Sequence, residues 1–228
     1  MNKGSSLPIS RFSVLGSPNV GIYALATNKY VLVPPRMSDL KIRRFEKTLG
    51  VPAVRTTLGG TILLGVLATA NSNGIVVPCF VSEEETRPLS SIVENIIRVE
   101  SKRTALGNLV LANDQGAVIA ESLYRERDVV VKIKDALGVE VAPCQIARLP
   151  YVGSFAAATN KAALVHPLIE DDEKRIISDL LKVNVNTGTV NGGSPYVHSG
   201  ILVNDHGAIV GPLSAGSELM VISTIFGV

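Results

Sequence analysis

The sequence predicts an α+β fold in which five similar units close into a ring, and three observations support this prediction. First, an asparagine recurs every 42 to 47 residues along the chain of 228, at Asn28, Asn71, Asn113, Asn160 and Asn204. Second, each asparagine lies between two short apolar runs. Third, a polar turn, a helix-like segment and, in four units, another apolar run follow. A period in this range is typical of proteins built from repeated supersecondary units.

The asparagines predict a hairpin in each unit. Three residues after them come Val31, Gly74, Gly116, Ala163 and Gly207. Seven residues after them come Pro35, Pro78, Ala120, Pro167 and Gly211. Asparagine opens a turn, and we expect the glycine to take the left-handed position of a bulged hairpin loop. Because the flanking runs are continuously apolar, both faces of these strands should be covered.

A helix is predicted after each hairpin. In the first unit Ser38 caps a stripe of Ile42, Phe45 and Leu49, and Gly50 ends the helix. In the second unit Ser82 and Glu85 form a capping box, and Pro88 should shorten the helix. The later helices are predicted at residues 126–137 (with Gly138 as the stop), Asp171–Leu181 and Ser217–Phe226. β-like runs follow the first four helices at Val51–Thr57, Ile96–Ser101, Val139–Ile146 and Val183–Thr187.

The fifth unit lacks a final strand, and the N-terminus has a spare one at residues 8–14. We therefore expect the N-terminal strand to complete the fifth unit and close the ring, with helices outside and strands around an axis. Closure also removes exposed strand edges. The prediction is a single domain with repeats at about 15–57, 58–101, 102–146, 147–188 and 189–228. An open array of five units is the alternative, but the polar caps that it needs are not evident.

Composition points to a well-packed protein with an uneven charge. Hydrophobic residues make up 46% and charged residues 18%, which favours a large core over disorder. No apolar run is long enough to span a bilayer, no cleavable signal segment is evident, and two cysteines cannot form a disulfide framework. We therefore expect a cytoplasmic monomer that does not associate with membranes.

The basic residues are concentrated in the first quarter of the chain. Residues 1–58 contain nine Lys/Arg and two Asp/Glu, whereas residues 59–228 contain thirteen and eighteen. The first quarter could contact nucleic acid, or it could be a solvated helix face. The sequence leaves both interpretations open.

Catalytic and cofactor motifs are not evident in the sequence. It contains no phosphate-binding glycine loop of either common pattern. His166, His198 and His206 lack metal-ligand spacing and are expected in turns or on the surface. Cys79 and Cys144 each follow or end a strand and are expected to be small core residues. Helix capping accounts for the acidic runs, so no catalytic residue, metal site or cofactor is predicted.

Glycine-rich loops are the better candidates for a functional surface. Gly60 and Gly193 each precede their asparagine by eleven residues, so the two loops lie at the same phase of the repeat. Near that phase the other units have Gly16-Ser17-Pro18, residues 104–108 and residues 151–154. Such loops would emerge at one end of a ring and form a platform for a partner. Alternatively, the glycines simply turn the chain into each unit.

Several segments resemble the translation initiation factor 6 family. They are Ala105-Leu106-Gly107-Asn108, Leu164-Val165-His166-Pro167, Gly188–Ser194 and the helix opening Ser217-Glu218-Leu219. The resemblance covers about residues 9–227 and does not extend to the residues before Ile9. Because no long polar tail follows the fifth helix, the chain is similar to the archaeal form of the family.

The resemblance implies a pentein ring, also described as an α-β propeller. It implies a translation factor that binds the large ribosomal subunit, chiefly through a ribosomal protein with ribosomal RNA nearby, and prevents premature joining of the small subunit. A role in large-subunit maturation is also implied. The implied contacts are Gly59, Gly60, Leu106, Gly107, Asn108, Val152, Gly153, Ser154, Asn191, Gly192, Gly193 and Ser194. The alternative is a guanidine-modifying enzyme of the same fold with a cysteine nucleophile.

Overall fold

The structure is a computed structural model and describes residues 8–228. Within this range, fifteen strands form five three-stranded sheets. The strands are β1 (Ile9–Arg11), β2 (Leu25–Ala26), β3 (Val31–Val33), β4 (Ala53–Arg55), β5 (Thr69–Ala70), β6 (Gly74–Pro78), β7 (Asn95–Val99), β8 (Val110–Ala112), β9 (Gly116–Ala120), β10 (Glu140–Cys144), β11 (Ala156–Ala158), β12 (Ala162–Val165), β13 (Asn184–Thr187), β14 (Ile201–Asn204) and β15 (Gly207–Val210).

The same residues form four helices of eleven residues and six helices of four residues. The long helices are α2 (Asp39–Leu49), α7 (Arg127–Leu137), α8 (Asp171–Leu181) and α10 (Gly216–Phe226). The short helices are α1 (Val20–Tyr23), α3 (Leu64–Leu67), α4 (Glu83–Thr86), α5 (Leu106–Leu109), α6 (Glu121–Tyr124) and α9 (Val197–Gly200). The predicted long helices are confirmed to within a residue or two, whereas α1, α3, α5, α6 and α9 were not anticipated.

Each sheet has the same connectivity. A hairpin strand pairs antiparallel with a buried central strand, and the central strand pairs parallel with an outer strand beyond it. In the fifth sheet the outer strand is β1, whose Ile9 pairs with Ala208 of β15. The N-terminal strand thus forms the third strand of the fifth sheet. The short helices α1, α3, α5 and α9 directly precede the hairpin strands of four units.

The structural repeat differs from the asparagine repeat in two units. The equivalent positions are Thr27, Asn71, Asn113, Thr159 and Asn204, because each side-chain oxygen accepts hydrogen bonds from the amides two and three residues later. Asn28 and Asn160 therefore lie one position too late. A threonine hydroxyl performs the same turn-closing role as an asparagine amide oxygen, so the asparagine repeat coincides with the structural repeat in only three of the five units.

The three equivalent asparagines also join successive units. The amide nitrogen of Asn113 donates to the carbonyl oxygens of Thr159 and Leu181 in the next unit, at 3.0 and 2.8 Å. Asn71 makes the same pair of bonds to the third unit. Asn204 makes them from the fifth unit to the first, at Thr27 and Leu49. These bonds therefore link the second unit to the third, the third to the fourth and the fifth back to the first.

The hairpin glycines allow close packing of a helix and do not form the predicted left-handed turn. Gly74, Gly116 and Gly207 do not have positive φ angles, so the expected left-handed turn is wrong. Each instead lies against the C-terminal end of the next unit's long helix. A Cβ atom on Gly116 would lie 2.2 Å from the carbonyl oxygen of Leu180, and one on Gly207 would lie 2.0 Å from that of Thr48. Close helix packing therefore excludes larger residues here.

Side chains at the hairpin turns link the units a second time. The backbone amide of Asp205 donates to the side chain of Asn28, and that of Asn160 donates to the carboxylate of Asp205. Asp114 and Ser72 continue the series. Five apolar clusters lie between successive units and form the core. None of the helices within residues 8–228 combines the length and apolar character needed to cross a bilayer.

Candidate functional site

Five short turns surround the pseudo-fivefold axis at the end opposite the hairpins. They are α1, α3, α5, residues 152–155 and α9. In the first four units the second residue is glycine: Gly21, Gly65, Gly107 and Gly153. A Cβ atom on Gly107 would lie 2.0 Å from the carbonyl oxygen of Gly65, and one on Gly153 the same distance from that of Gly107. The backbones therefore pass so closely that no side chain fits at these four positions.

His198 replaces glycine in the fifth unit. Its Nε2 atom lies 3.2 Å from the carbonyl oxygen of Gly65, and since a carbonyl only accepts, this nitrogen carries the proton. Burial lowers the pKa of the His198 imidazole, and hydrogen bonds to the backbone of Gly65 and Gly21 oppose this only in part. A neutral ring therefore closes the axis above an internal cavity of about 70 Å³.

An open depression of about 380 Å³ lies on the outer side of His198. The residue that follows each axial position lines it: Ile22, Val66, Asn108, Ser154 and Ser199. Asn19, Ser194 and Tyr196 complete the wall. The depression is therefore a shallow site with mixed polar and apolar groups, centred on the axis.

Tight turns surround the depression at residues 14–17, 58–61, 146–149 and 190–194. Three of these turns are fixed by a glutamate from the first turn of a helix. Both carboxylate oxygens of Glu85 accept hydrogen bonds from the amides of Gly59 and Gly60, at 3.1 and 2.8 Å. Glu173 does the same for Ala147 and Arg148. Glu218 does the same for Gly192 and Gly193.

The glutamates also cap their helices. The amide of Ser82 donates to Glu85, and the amide of Ala215 donates to Glu218. Burial by itself raises the pKa of the Glu85 carboxyl, but the hydrogen bonds from Gly60, Ser82, Thr57 and Gly59 outweigh it and lower the pKa to about 2. The same balance lowers the pKa of Glu218. Each ionised carboxylate thus holds a helix end and a tight turn together.

We call this end of the molecule, formed by the five short turns, the tight turns and the segments that lead into the helices, the loop face. Large apolar side chains are exposed along its rim: Leu15, Leu63, Phe80, Leu149, Tyr151, Leu168, Tyr196 and Leu213. Some are held in place, since the ring of Phe80 covers Gly59 and the ring of Tyr196 stacks on Phe155 with centroids 5.2 Å apart. Eight of the thirteen exposed large hydrophobic side chains in the described residues therefore lie at one end. Such a concentration is typical of a protein-binding surface.

The twelve residues predicted as partner contacts fall into two structural groups. Gly59, Gly60 and residues 191–194 lie in tight turns, whereas residues 106–108 and 152–154 lie in the axial turns. Asn108, Ser154 and Ser194 line the depression. Leu106, Gly107, Val152 and Gly153 are buried, so they shape the face by packing, and contact of the twelve residues with a partner stays a prediction.

Some features of the loop face were not anticipated from the sequence. The sequence predicts all three histidines in turns or on the surface, and His206 is exposed as expected. His166 is buried, and His198 closes the axis. The rim residues Tyr151 and Tyr196 carry no motif of their own. The capping box of Ser82 and Glu85 was a usable signal for the helix, but not for its contact with a turn 25 residues earlier.

The cysteines differ from one another. Cys79 is exposed, which contradicts its expected place in the core, because it follows β6 where the chain turns outward. Cys144 is buried as predicted, and burial, with a smaller contribution from Glu173, raises the pKa of its thiol to about 11. A thiol of this kind is a poor nucleophile. Within residues 8–228 no three His, Cys, Asp or Glu side chains are grouped so as to hold a metal ion.

Comparison with known proteins identifies the family. A family model described as the eIF-6 family matches residues 9–225. The chain belongs to the eIF-6 family. Translation initiation factor 6 of Staphylothermus marinus is 39% identical over 218 residues, which cover 94% of this chain and 95% of the relative. Translation initiation factor 6 of Pyrococcus abyssi is 38% identical over 225 residues, 96% of this chain and 98% of the relative.

A third member, translation initiation factor 6 of Methanocaldococcus jannaschii, is 38% identical over 219 residues, 93% of this chain and 95% of that protein. These relatives are archaeal, in agreement with the resemblance found in the sequence. Membership of the eIF-6 family places the protein among translation initiation factors. The loop face is the part of this eIF-6 family member where exposed large apolar side chains are concentrated.

Proposed function

We propose that this eIF-6 family member binds the large ribosomal subunit through its loop face and sterically prevents premature association with the small subunit. The observation that carries the proposal is the concentration of exposed apolar side chains around the axial depression. Apolar and aromatic side chains at the centre of an interface supply most of its binding energy. A subunit that must be kept apart from its counterpart requires slow dissociation, and burial of such side chains provides it.

The partner surface is chiefly a ribosomal protein, with ribosomal RNA nearby. The support is the set of large apolar side chains exposed along the rim, which suits protein better than phosphate. The glutamates that bind three tight turns keep the face in one shape, so little conformational entropy is lost on binding. A role in large-subunit maturation would use the same occupancy.

We also infer that the contacts from the fifth unit to the first close the five units into a pentein ring that is a single domain. Support comes from the bonds of Asn204 to Thr27 and Leu49 and from the pairing of β1 with β15. A closed ring is a rigid frame for loops drawn from all five units. Such a factor acts as a monomer in the cytoplasm, where its partner is.

The test is sedimentation of ribosomal particles from a matched archaeal extract with purified protein added. The wild type is expected to migrate with large subunits and to reduce the fraction of joined ribosomes. The double variant Tyr151→Glu/Leu168→Glu places charge on the rim and should weaken binding about tenfold or more. The control Val131→Glu/Met220→Glu makes the same change at helix residues of matched exposure, 56% and 74% against 51% and 74%.

Equal binding by both double variants would show that the loop face is not part of the interface. Failure of the wild type to migrate with large subunits would reject the proposed function altogether. Melting temperatures of all proteins should agree within a few degrees, since every substituted side chain is exposed. Asn108→Trp, which fills the depression, should weaken binding with little loss of stability.

A further inference from the structure

The outward face of α2 differs from those of the other long helices. Residues 40, 43, 44 and 47 follow the spacing of one helical stripe. Leu40, Arg43, Arg44 and Lys47 are all exposed, so the stripe carries three positive charges and no negative one. The face is therefore basic along most of its length.

The equivalent helices provide an internal comparison. On α7, Lys134 forms an ion pair with Glu140, and on α8, Arg175 forms one with Asp172. These faces mix both signs, as solvated helix faces commonly do. α10 has no lysine or arginine. A face of single positive sign is thus not required by this helix position.

The acidic residues near α2 are already engaged. Asp39 forms an ion pair with Arg55, and a carboxylate oxygen of Glu46 accepts a hydrogen bond from the amide of Ala53 at 3.0 Å. Among residues 8–228, no carboxylate lies within ion-pair distance of the three stripe cations. The helix dipole accounts for a cation in the last turn, such as Lys47, but not for two arginines in the middle.

Aromatic packing positions one of these cations. The guanidinium carbon of Arg44 lies 5.6 Å from the ring centroid of Phe12, and that ring packs against Phe45 with centroids 5.6 Å apart. Stacking restricts the guanidinium before any partner binds, so less entropy is lost when it bonds.

The basic stripe continues to the loop face. Arg36 is exposed between β3 and α2, at the position that Phe80, Leu168 and Leu213 occupy in other units. Where three units present an apolar rim residue, the first unit therefore presents a cation. A partner on the loop face would have the α2 stripe directly beside it.

We propose that Arg36, Arg43, Arg44 and Lys47 bind the phosphate backbone of RNA at the margin of the loop-face interface. This inference rests on the proposed function, because the RNA is that of the bound particle. Arginine guanidinium groups match phosphate oxygens in geometry, and the nearby carboxylates of Asp39 and Glu46 already have partners of their own. In this arrangement the apolar rim contacts ribosomal protein and the basic stripe contacts RNA.

The test compares the triple variant Arg43→Gln/Arg44→Gln/Lys47→Gln with the control Lys132→Gln/Lys174→Gln/Arg175→Gln. The control removes the same charge from α7 and α8. Binding is measured against deproteinised large-subunit ribosomal RNA and against intact large subunits, over a series of salt concentrations. Each phosphate contact contributes about 0.7–0.9 to the slope of log affinity against log salt. The slope of the triple variant should therefore be shallower than that of the wild type by about 2, and the slope of the control unchanged.

Equal slopes for the triple variant and the control would overturn the inference, while wild-type sedimentation with large subunits would leave the proposed function standing. Loss of subunit binding with no change in RNA affinity would also overturn it, because the stripe would then contact acidic protein. If the wild type fails to bind subunits but the triple variant alone loses RNA affinity, the proposed function fails, and only the binding of RNA phosphates by the stripe stands. Unchanged melting temperatures exclude misfolding as the cause.

Discussion

Tyr30 and Gly74 occupy the same position in successive units, and the difference between them follows from what packs against each. Gly74 lies under α7, where a Cβ atom would approach the carbonyl oxygen of Ala136 to 2.1 Å. The second unit has no long helix, because α4 is followed by a 3-10 helix at Arg87–Leu89 that contains the predicted breaker Pro88. The buried ring of Tyr30 joins the cluster that fills the vacated space.

The hydroxyl of Tyr30 leads to a stability prediction. It is buried without a hydrogen-bond partner among the described residues, and burial raises the pKa of the phenol. Tyr30→Phe keeps the ring and removes the unsatisfied group, so we expect the free energy of unfolding to rise by about 1 kcal/mol. Urea denaturation measures this. A loss of stability would mean that the hydroxyl has a partner in solution, such as water.

The axial glycines should tolerate no side chain. Gly107→Ala places a Cβ atom 2.0 Å from a carbonyl oxygen, so we expect a loss of about 3 kcal/mol or more, or failure to fold. Gly216→Ala is the matched control, because a Cβ there meets no atom within 4 Å. The two variants are compared by thermal and urea unfolding. Similar stability for both would show that the axial turns can move apart.

The carboxylate of Glu85 predicts a pH dependence. Its pKa of about 2 lies below the ordinary value of 4.5. Because this pKa is depressed in the folded state, ionised Glu85 raises the free energy of unfolding at pH values above 4.5. This contribution is lost as the pH falls from 4.5 towards 2. Glu85→Gln should lower the free energy of unfolding by about 2 kcal/mol at neutral pH, because the charged hydrogen bonds are lost. The stability of this variant should also change less than that of the wild type between pH 4.5 and pH 2.

Stability measured from pH 7 to pH 2 tests this expectation. Glu84→Gln is the control, since Glu84 is exposed and lies next to Glu85 in the same helical turn. A Glu85→Gln curve that runs parallel to the wild type through the acid range would show that Glu85 does not hold the tight turn. A similar flattening in Glu84→Gln would point to a general effect of helix charge.

The N-terminal strand should be essential for stability. Deletion of residues 1–14 removes β1 and the contact of Phe12 with Phe45, so we expect a loss of about 3 kcal/mol or more. Deletion of residues 1–7 alone leaves β1 in place and serves as the control. Unfolding midpoints in urea are the measurement. Equal midpoints for the two deletions would show that β1 does not secure the fifth unit.

The sequence reveals features that are determined locally. Ser38 and Gly50 bound α2 as predicted, with Gly50 at a φ of 65°, because caps depend on residues a few positions apart. The unit order and the N-terminal strand follow from counting apolar runs. These signals do not require knowledge of the tertiary structure.

The remaining features depend on residues far apart in the chain. Gly116 is needed because the end of α8, more than sixty residues later, lies against it. The same holds for His198, whose axial position is visible only once Gly21 and Gly65 are seen beside it. The sequence does not identify Thr27 and Thr159 as equivalent to the asparagines, because the units share a hydrogen bond at this position and not a residue type.

The pairing of β1 with β15 also has a consequence for biosynthesis. Residues 9–11 precede the other four units in the chain, whereas their partners at 208–210 follow them. The early strand must wait, unpaired, until residues 208–210 have been made, since long-range pairing of this kind cannot form sooner. This translation initiation factor therefore completes its fifth sheet only after its other four units have been translated.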